Sequence, residues 1–351
     1  MTFPYTLTRV GVVMAPEPGN DQEIEGVLNP GSGRDQDGNL YLLPRIVAAG
    51  NISRVGLARV VISDGVPTGV VREGVVLEPD RGFEFGVGHG GVEDPRVTFI
   101  PRLGLHVMTY VAYGPLGPRT AIATSTNMRD WKRLGPAHFL YEDELDMDLG
   151  LFHNKDTVFF PEPVTAPDGI ECFAVLHRPM WDIGETAPGE GVRTPAGVDD
   201  ARQSIWISYI PVDLVLADIR NITLWGQHRF VAGPEFPFEA LKIGGGPPPL
   251  RVPEGWLVLH HGVTGTIDGA FEQQRNVNYR AGGMILDALD PSKVVARSTE
   301  PLLEAETEEE RNGIVPNVVF PTAIEEIDGQ LWVFYGMADT KIGVARLDRV
   351  V

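Results

Sequence analysis

The sequence predicts an all-β fold, a five-bladed β-propeller around a central channel, and three observations carry that expectation. A unit of about 60 to 85 residues is written five times between Val27 and Leu347. Each copy holds two short strands, rich in aromatic and β-branched residues, across a turn. A proline recurs near the start of each copy, and no segment has the pattern of a long amphipathic helix.

In chain order the outer hairpins are read as Leu40–Val47 with Val55–Val60, His106–Tyr113 with Thr120–Ser125, Glu171–His177 with Ser204–Ile210, Trp256–Gly262 with Ala281–Asp287, and Leu331–Gly336 with Ile342–Leu347. The prolines fall at Asn29-Pro30, Asp94-Pro95, Pro161-Glu162-Pro163, Pro247–Pro249 and Phe320-Pro321. Brief helical turns are expected at Asp213–Asp218 and Glu304–Arg311, the second an acidic run that reads as a solvated face. The third copy carries an insertion, Met180–Gln203, that is either part of a channel rim or a surface excursion.

Length alone, at 351 residues, suggests two domains, but the repeat favours one domain over residues 1–351. With 48 acidic against 29 basic residues, the net charge of -19 repels phosphate backbones and anionic lipid. No Lys/Arg run offsets it, so neither nucleic acid nor a membrane is an expected partner. The N-terminal MTFPYTLTRVGVVM does not read as a signal peptide, and no long apolar run follows. A cytoplasmic location is expected, and a single strand-like cysteine, Cys172, fits it. The histidines make no HxH or HExxH pattern, so no metal is expected. Gly244–Gly246 lack the strand-to-helix context of a nucleotide loop.

Polar residues beside the prolines should line the channel: Asn29, Glu93, Asp94, Arg96, Glu162, Lys242 and Asn317. Buried charges cost several kcal/mol unless paired or used, so a recurring set marks a polar site. The segment GVEDPRV, Gly91–Val97, suits a carboxyl held as a proton donor. It suits equally a turn capped by Asp94 with Arg96 paired to Glu93. Lys155, Arg178, Lys242, His260 and His261 fall at corresponding strand ends of the third and fourth copies and together read as an anion pocket. Each charge-assisted hydrogen bond to a phosphate there would contribute about 1.5–3 kcal/mol before desolvation.

The segments LNPGSGRDQDGNLYLLPR, GVEDPRV, NKDTVFFPEPV, VLHRP, KIGGGPPPL, GWLVLHHGV, YRAGGMILDALDPSKVVARS, VPNVVFPTA and VFYGMADTKIGVARL resemble, in order, motifs of glycoside hydrolase family 130 over nearly the whole chain. The resemblance implies a five-bladed propeller with an active-site channel and inverting phosphorolysis of a terminal β-mannosyl unit to α-mannose 1-phosphate. It implies no organic cofactor, with inorganic phosphate as co-substrate. Asp94 matches the family's proton donor, acting through the sugar's 3-hydroxyl. Arg178, Lys242 and His261 match its phosphate contacts. Lys155 stands where many relatives have arginine and loses the bidentate fork. His260 stands where relatives often have tyrosine. Asn29, Arg45, Arg54 and Asp339 match sugar-binding positions, and Glu93, Glu162 and His260 complete the expected substrate-binding set. Members commonly associate, which leaves a homo-oligomer open.

Two other functions fit the same motifs. An inverting β-mannosidase would need a second carboxylate, Glu162 or Asp156, about 6.5–9.5 Å from the acid to activate water. Retention of Arg178, Lys242 and His261 favours phosphorolysis. A non-catalytic glycan-binding propeller would have no use for the intact EDPR segment. Linkage and acceptor depend on loops such as Met180–Gln203.

Overall fold

The computed structural model describes residues 2–86, 90–182, 191–268 and 273–350, so residues 183–190 of the expected insertion lie outside the described residues. The chain is all-β, as its patterning predicts. It opens with β1 (Tyr5–Met14), whose partners come last. The first unit is β2 (Gly26–Arg34), β3 (Leu40–Ala48), β4 (Ile52–Ser63) and β5 (Val66–Leu77); the second is β6 (Gly90–Ile100), β7 (Leu105–Gly114), β8 (Gly117–Ser125) and β9 (Lys132–Pro136). The third holds β10 (His138–Phe139), β11 (His153–Phe159), β12 (Val164–Thr165), β13 (Glu171–Met180), β14 (Ile205–Pro211), the short helix α1 (Val212–Ala217) and β15 (Leu224–Ala232). The fourth holds β16 (Lys242–Gly245), β17 (Leu250–Val252), β18 (Gly255–Asp268), β19 (Gln273–Leu286) and β20 (Val294–Arg297). The fifth holds α2 (Glu308–Arg311), β21 (Val319–Ile327), β22 (Gln330–Met337) and β23 (Lys341–Arg349).

The hairpins expected at the outside prove to be the middle of each unit. One strand precedes each hairpin, and a fourth strand (β5, β9, β15, β20 or β1) lies beyond it. Nor do the strands pair as five separate sheets. Among the described residues they form four, because the parallel bridges Ile52↔Gly90 and Ser53↔Gly91 join the first two units into an eight-stranded sheet. Glycine is required at this junction: Gly91 has φ 119°, and a Cβ there would lie 2.3 Å from the Ser53 carbonyl oxygen.

The first strands of the units are tied to one another by side chains. Thr322 on β21 donates to the Pro30 carbonyl of β2 at 2.7 Å, and Thr98 on β6 donates to the Phe159 carbonyl of β11 at 3.1 Å. Arg96 Nε donates to the Gly246 carbonyl at 3.0 Å, just past β16. Apolar clusters fill the space between consecutive units: Leu43, Met108 and Tyr110; Ile122, Phe159 and Phe173; Phe160, Ile207 and Trp256; Leu259, Val333 and Tyr335. A further cluster joins Phe334 and Val344 of the last unit to Val27 and Leu42 of the first.

A buried glutamate locks three units by the same chemistry. Glu84 Oε2 accepts the N–H groups of Asp80 and Arg81, while Oε1 accepts Tyr110 Oη at 2.7 Å and Arg133 Nε at 2.8 Å. Glu239 accepts the N–H groups of Glu235 and Phe236, His260 Nε2 at 2.8 Å and Arg297 Nη2 at 2.8 Å. Glu310 accepts the N–H groups of Glu306 and Thr307, Tyr335 Oη at 3.0 Å and Arg9 Nε at 2.8 Å. Each carboxylate is desolvated, yet four donors satisfy its lone pairs. The acidic run Glu304–Arg311 is therefore not simply a solvated face, since Glu310 is fully buried.

Candidate active site

A repeated backbone irregularity builds the site. The first strands of units one to three each carry a one-residue bulge: register passes from Leu28↔Arg45 to Gly31↔Leu43, from Glu93↔Val111 to Arg96↔Thr109, and from Lys155↔Arg178 to Val158↔Leu176. The residue that opens each bulge is left-handed: Asn29 (φ 43°), Asp94 (φ 46°) and Asp156 (φ 53°). Asn and Asp tolerate this conformation better than other side chains. All three line one cavity of about 80 Å³, together with Arg45, Lys155, Arg178, Lys242, His261 and Asp339. Asp339 (φ 51°) reaches it from the turn between β22 and β23.

One half of the cavity is a carboxylate cluster held by cations. Arg45 Nη1 lies 3.2 Å from Asp94 Oδ1 and Nη2 lies 3.0 Å from Glu93 Oε1, while Nε donates to Ser53 Oγ at 2.8 Å. Asn29 Nδ2 donates to Asp94 Oδ1 at 2.9 Å. Arg96 does not pair with Glu93 as one expectation had it. Its Nη1 donates to the Asp94 carbonyl at 3.1 Å, and its guanidinium lies 5.2 Å from the centre of the Phe320 ring.

The other half is basic. Lys242 Nζ sits 5.6 Å from the Tyr279 ring centre and Lys155 Nζ 5.7 Å from that of Tyr113. Asp156 sits among these cations, with Oδ2 at 2.5 Å from Arg178 Nε and 3.5 Å from His261 Nε2. Gly244 makes room for this cluster, because a Cβ there would lie 2.1 Å from Asp156 Oδ2 and 2.5 Å from His261 Cε1.

These contacts fix the charge states. Burial alone would raise the pKa of Asp94, but Arg45, Arg96, the Asn29 hydrogen bond and Lys155 hold it below its ordinary value. Burial acts on Asp156 in the same sense, and Arg178, His261 and Arg96 overcome it, so Asp156 is ionised far below the usual carboxylate range. Asp339 goes the other way. Burial, reinforced by Asp94 and Glu93 against the pull of Arg45 and Lys155, pushes it up to about 7. Burial also drives His261 well below its ordinary value, so its imidazole is neutral.

Six expected residues lie outside the lining, among them Arg96 as described and Asn317, whose carbonyl accepts the Tyr279 N–H at 3.0 Å. Glu93 is buried against Arg45 behind the cavity. Arg54 is turned toward Glu78, 3.6 Å away, and Glu162 is exposed at the strand end. His260 is spent on the Glu239 lock, because neighbours on a strand face opposite sides and only His261 meets the cavity. Sequence reasoning did not single out Gln274, Tyr279 and Val318 of the lining, and it marked Phe320 only as the neighbour of Pro321. Val318 and Phe320 both lie just before the recurring Pro321, a signal that could have found them.

An all-β scaffold whose recurring bulges gather carboxylates and cations in one small cavity is a setting suited to acid–base chemistry on an anionic or sugar substrate. The chain belongs to glycoside hydrolase family 130: the family model described as β-1,4-mannooligosaccharide phosphorylase matches residues 40–351. It is 31% identical over 347 residues to the 1,2-β-oligomannan phosphorylase of Thermoanaerobacter sp. (strain X514), covering 96% of this chain and 94% of that one. It is 33% identical over 262 residues to a β-1,2-mannobiose phosphorylase of the same organism, covering 74% and 67%. Among solved structures it superposes on the Listeria innocua β-1,2-mannobiose phosphorylase in complex with β-1,2-mannobiose at a TM-score of 0.71 and 20% identity, over 99% and 97% of the two chains. It also superposes, at a TM-score of 0.66 and 22% identity over 96% and 94%, on a structure from the GH130 family, described as containing glycoside hydrolases that target β-1,2 mannosidic linkages in Candida mannan.

Proposed function

We propose that the protein is an inverting β-mannoside phosphorylase, and one observation carries this: the cations Arg178, Lys242 and Lys155 share one small cavity with Asp94. Phosphate held by the cations attacks the anomeric carbon as the bond to the leaving sugar oxygen breaks. That oxygen takes a proton supplied by Asp94 through the sugar's 3-hydroxyl, and α-mannose 1-phosphate results. With Arg45, Arg96, Asn29 and Lys155 around it, Asp94 is ionised. Its donor role therefore requires ligands: phosphate brings negative charge to the cations and the sugar displaces water, and both favour a protonated carboxyl. Asn29, Arg45 and Asp339 hold the sugar.

Hydrolysis at the same site would need a base for water. Of the two carboxylates expected as that base, Glu162 is exposed outside the cavity lining, and Asp156 is ion-paired to Arg178 and held far below the pKa such a base requires. The proposal extends to architecture. Residues 1–351 form a single domain in which the five units close as propeller blades, a closure supported by the apolar cluster shared between the last and first units.

The test is to incubate the purified protein with β-1,2-mannobiose, β-1,4-mannobiose and β-mannosyl-glucose, with and without phosphate, following sugar 1-phosphate and free mannose. Sugar 1-phosphate should form only with phosphate, and Asp94→Asn should abolish it with the fold intact. Mannose release that ignores phosphate would refute phosphorolysis.

A further inference from the structure

The basic half of the cavity contains its own anion. Asp156 is buried and ionised, is presented by a left-handed bulge residue, and lies between Arg178 and His261 in space that Gly244 keeps open. A pocket meant only to attract negative charge gains nothing from a permanent carboxylate. Its presence changes which anions are accepted.

An ionised carboxylate is a hydrogen-bond acceptor and never a donor. The contacts of Asp156 with Arg178 and His261 both fall on Oδ2, so Oδ1 keeps its lone pairs for a donor in the cavity. At neutral pH inorganic phosphate and arsenate each keep at least one O–H, whereas sulfate keeps none. A protonated oxyanion can place that O–H on Asp156 while its remaining oxygens meet Arg178 and Lys242. Sulfate of the same size would set an acceptor oxygen against an acceptor carboxylate, a repulsive contact in a desolvated place.

We propose that Asp156 is a specificity-determining residue that restricts this pocket to protonated tetrahedral oxyanions, admitting phosphate and arsenate and rejecting sulfate. The proposal rests on the pocket being the phosphate site. Asp156 also orients Arg178 through the Nε contact, but orientation alone would serve sulfate and phosphate alike.

The experiment is calorimetric titration of the full chain with phosphate, arsenate and sulfate at pH 7.5 and matched ionic strength, on the native protein and on Asp156→Asn. The native protein should bind phosphate and arsenate at least about tenfold more tightly than sulfate, the size of one lost charge-assisted hydrogen bond. In Asp156→Asn the amide can donate to sulfate, and the ratio should fall to within about threefold. Asp156→Ser supplies a second neutral side chain should the first variant lose its circular-dichroism signature. Native protein that binds phosphate and sulfate equally well overturns the inference and leaves the phosphorylase proposal standing. A phosphate preference that survives loss of the carboxylate also overturns it. Native protein that binds none of the three removes the phosphate site itself, and the proposed function falls with it.

Discussion

Replacing Asp339 by asparagine should make the protein more stable at alkaline pH and leave it nearly unchanged at acid pH. The carboxyl is pushed from its ordinary 3.8 up to about 7, chiefly by burial. Its folded-state pKa lies above the unfolded one, so the folded protein keeps a proton that the unfolded chain releases. The associated stability is fully present below about pH 4 and is lost as the pH rises through 7. At about 1.4 kcal/mol per unit, the full shift corresponds to about 4 kcal/mol. Asp339 is only half-buried, so screening reduces this to about 2 kcal/mol. Asparagine copies the neutral carboxyl without the ionisation cost. Urea unfolding of both proteins at pH 5.5 and 8.5 is the assay. A gain of about 2 kcal/mol at pH 8.5 that shrinks to about half or less at pH 5.5 is expected. A gain independent of pH, or none at pH 8.5, would refute the placement of the proton.

Gly244→Ala should fold but weaken phosphate binding at least about tenfold by calorimetry, since its Cβ displaces Asp156 and His261 together. Arg9→Leu should cost about 2–3 kcal/mol in urea unfolding, because it leaves the buried Glu310 short of a charged partner. Arg346→Ala, at the exposed pair with Asp348, should change stability by less than about 1 kcal/mol.

Much of this molecule was legible in its sequence. The middle hairpins emerged because aromatic and β-branched residues alternate over short runs, and the bulges are announced by Asn29-Pro30 and Asp94-Pro95. The fourth strands were missed because β9 is short and polar and β5 is broken by Gly69 and Gly74. Their places are set by pairing to the hairpin, not by local propensity. In the site, Asp94, Arg178, Lys242 and His261 were found from charge at strand ends. His260 was expected at the substrate because it stands where relatives often have tyrosine, while strand alternation sends it into a lock and His261 into the cavity. Asp156 was weighed as a base, yet whether a carboxylate serves as base or counter-ion depends on the cations around it. Those come from β13 and β6, on other stretches of the chain.

The last sheet is made from both halves of the chain's timeline. β1 pairs along β23 from Tyr5↔Arg349 to Met14↔Ile342, and Arg9 meets Glu310 across 301 residues of sequence. During synthesis the first strand therefore has no partner until almost everything else has been made, and it must be carried as an unpaired edge for that whole interval. Asp339, in the turn that leads into β23, takes its place at the cavity only when that final docking step is under way.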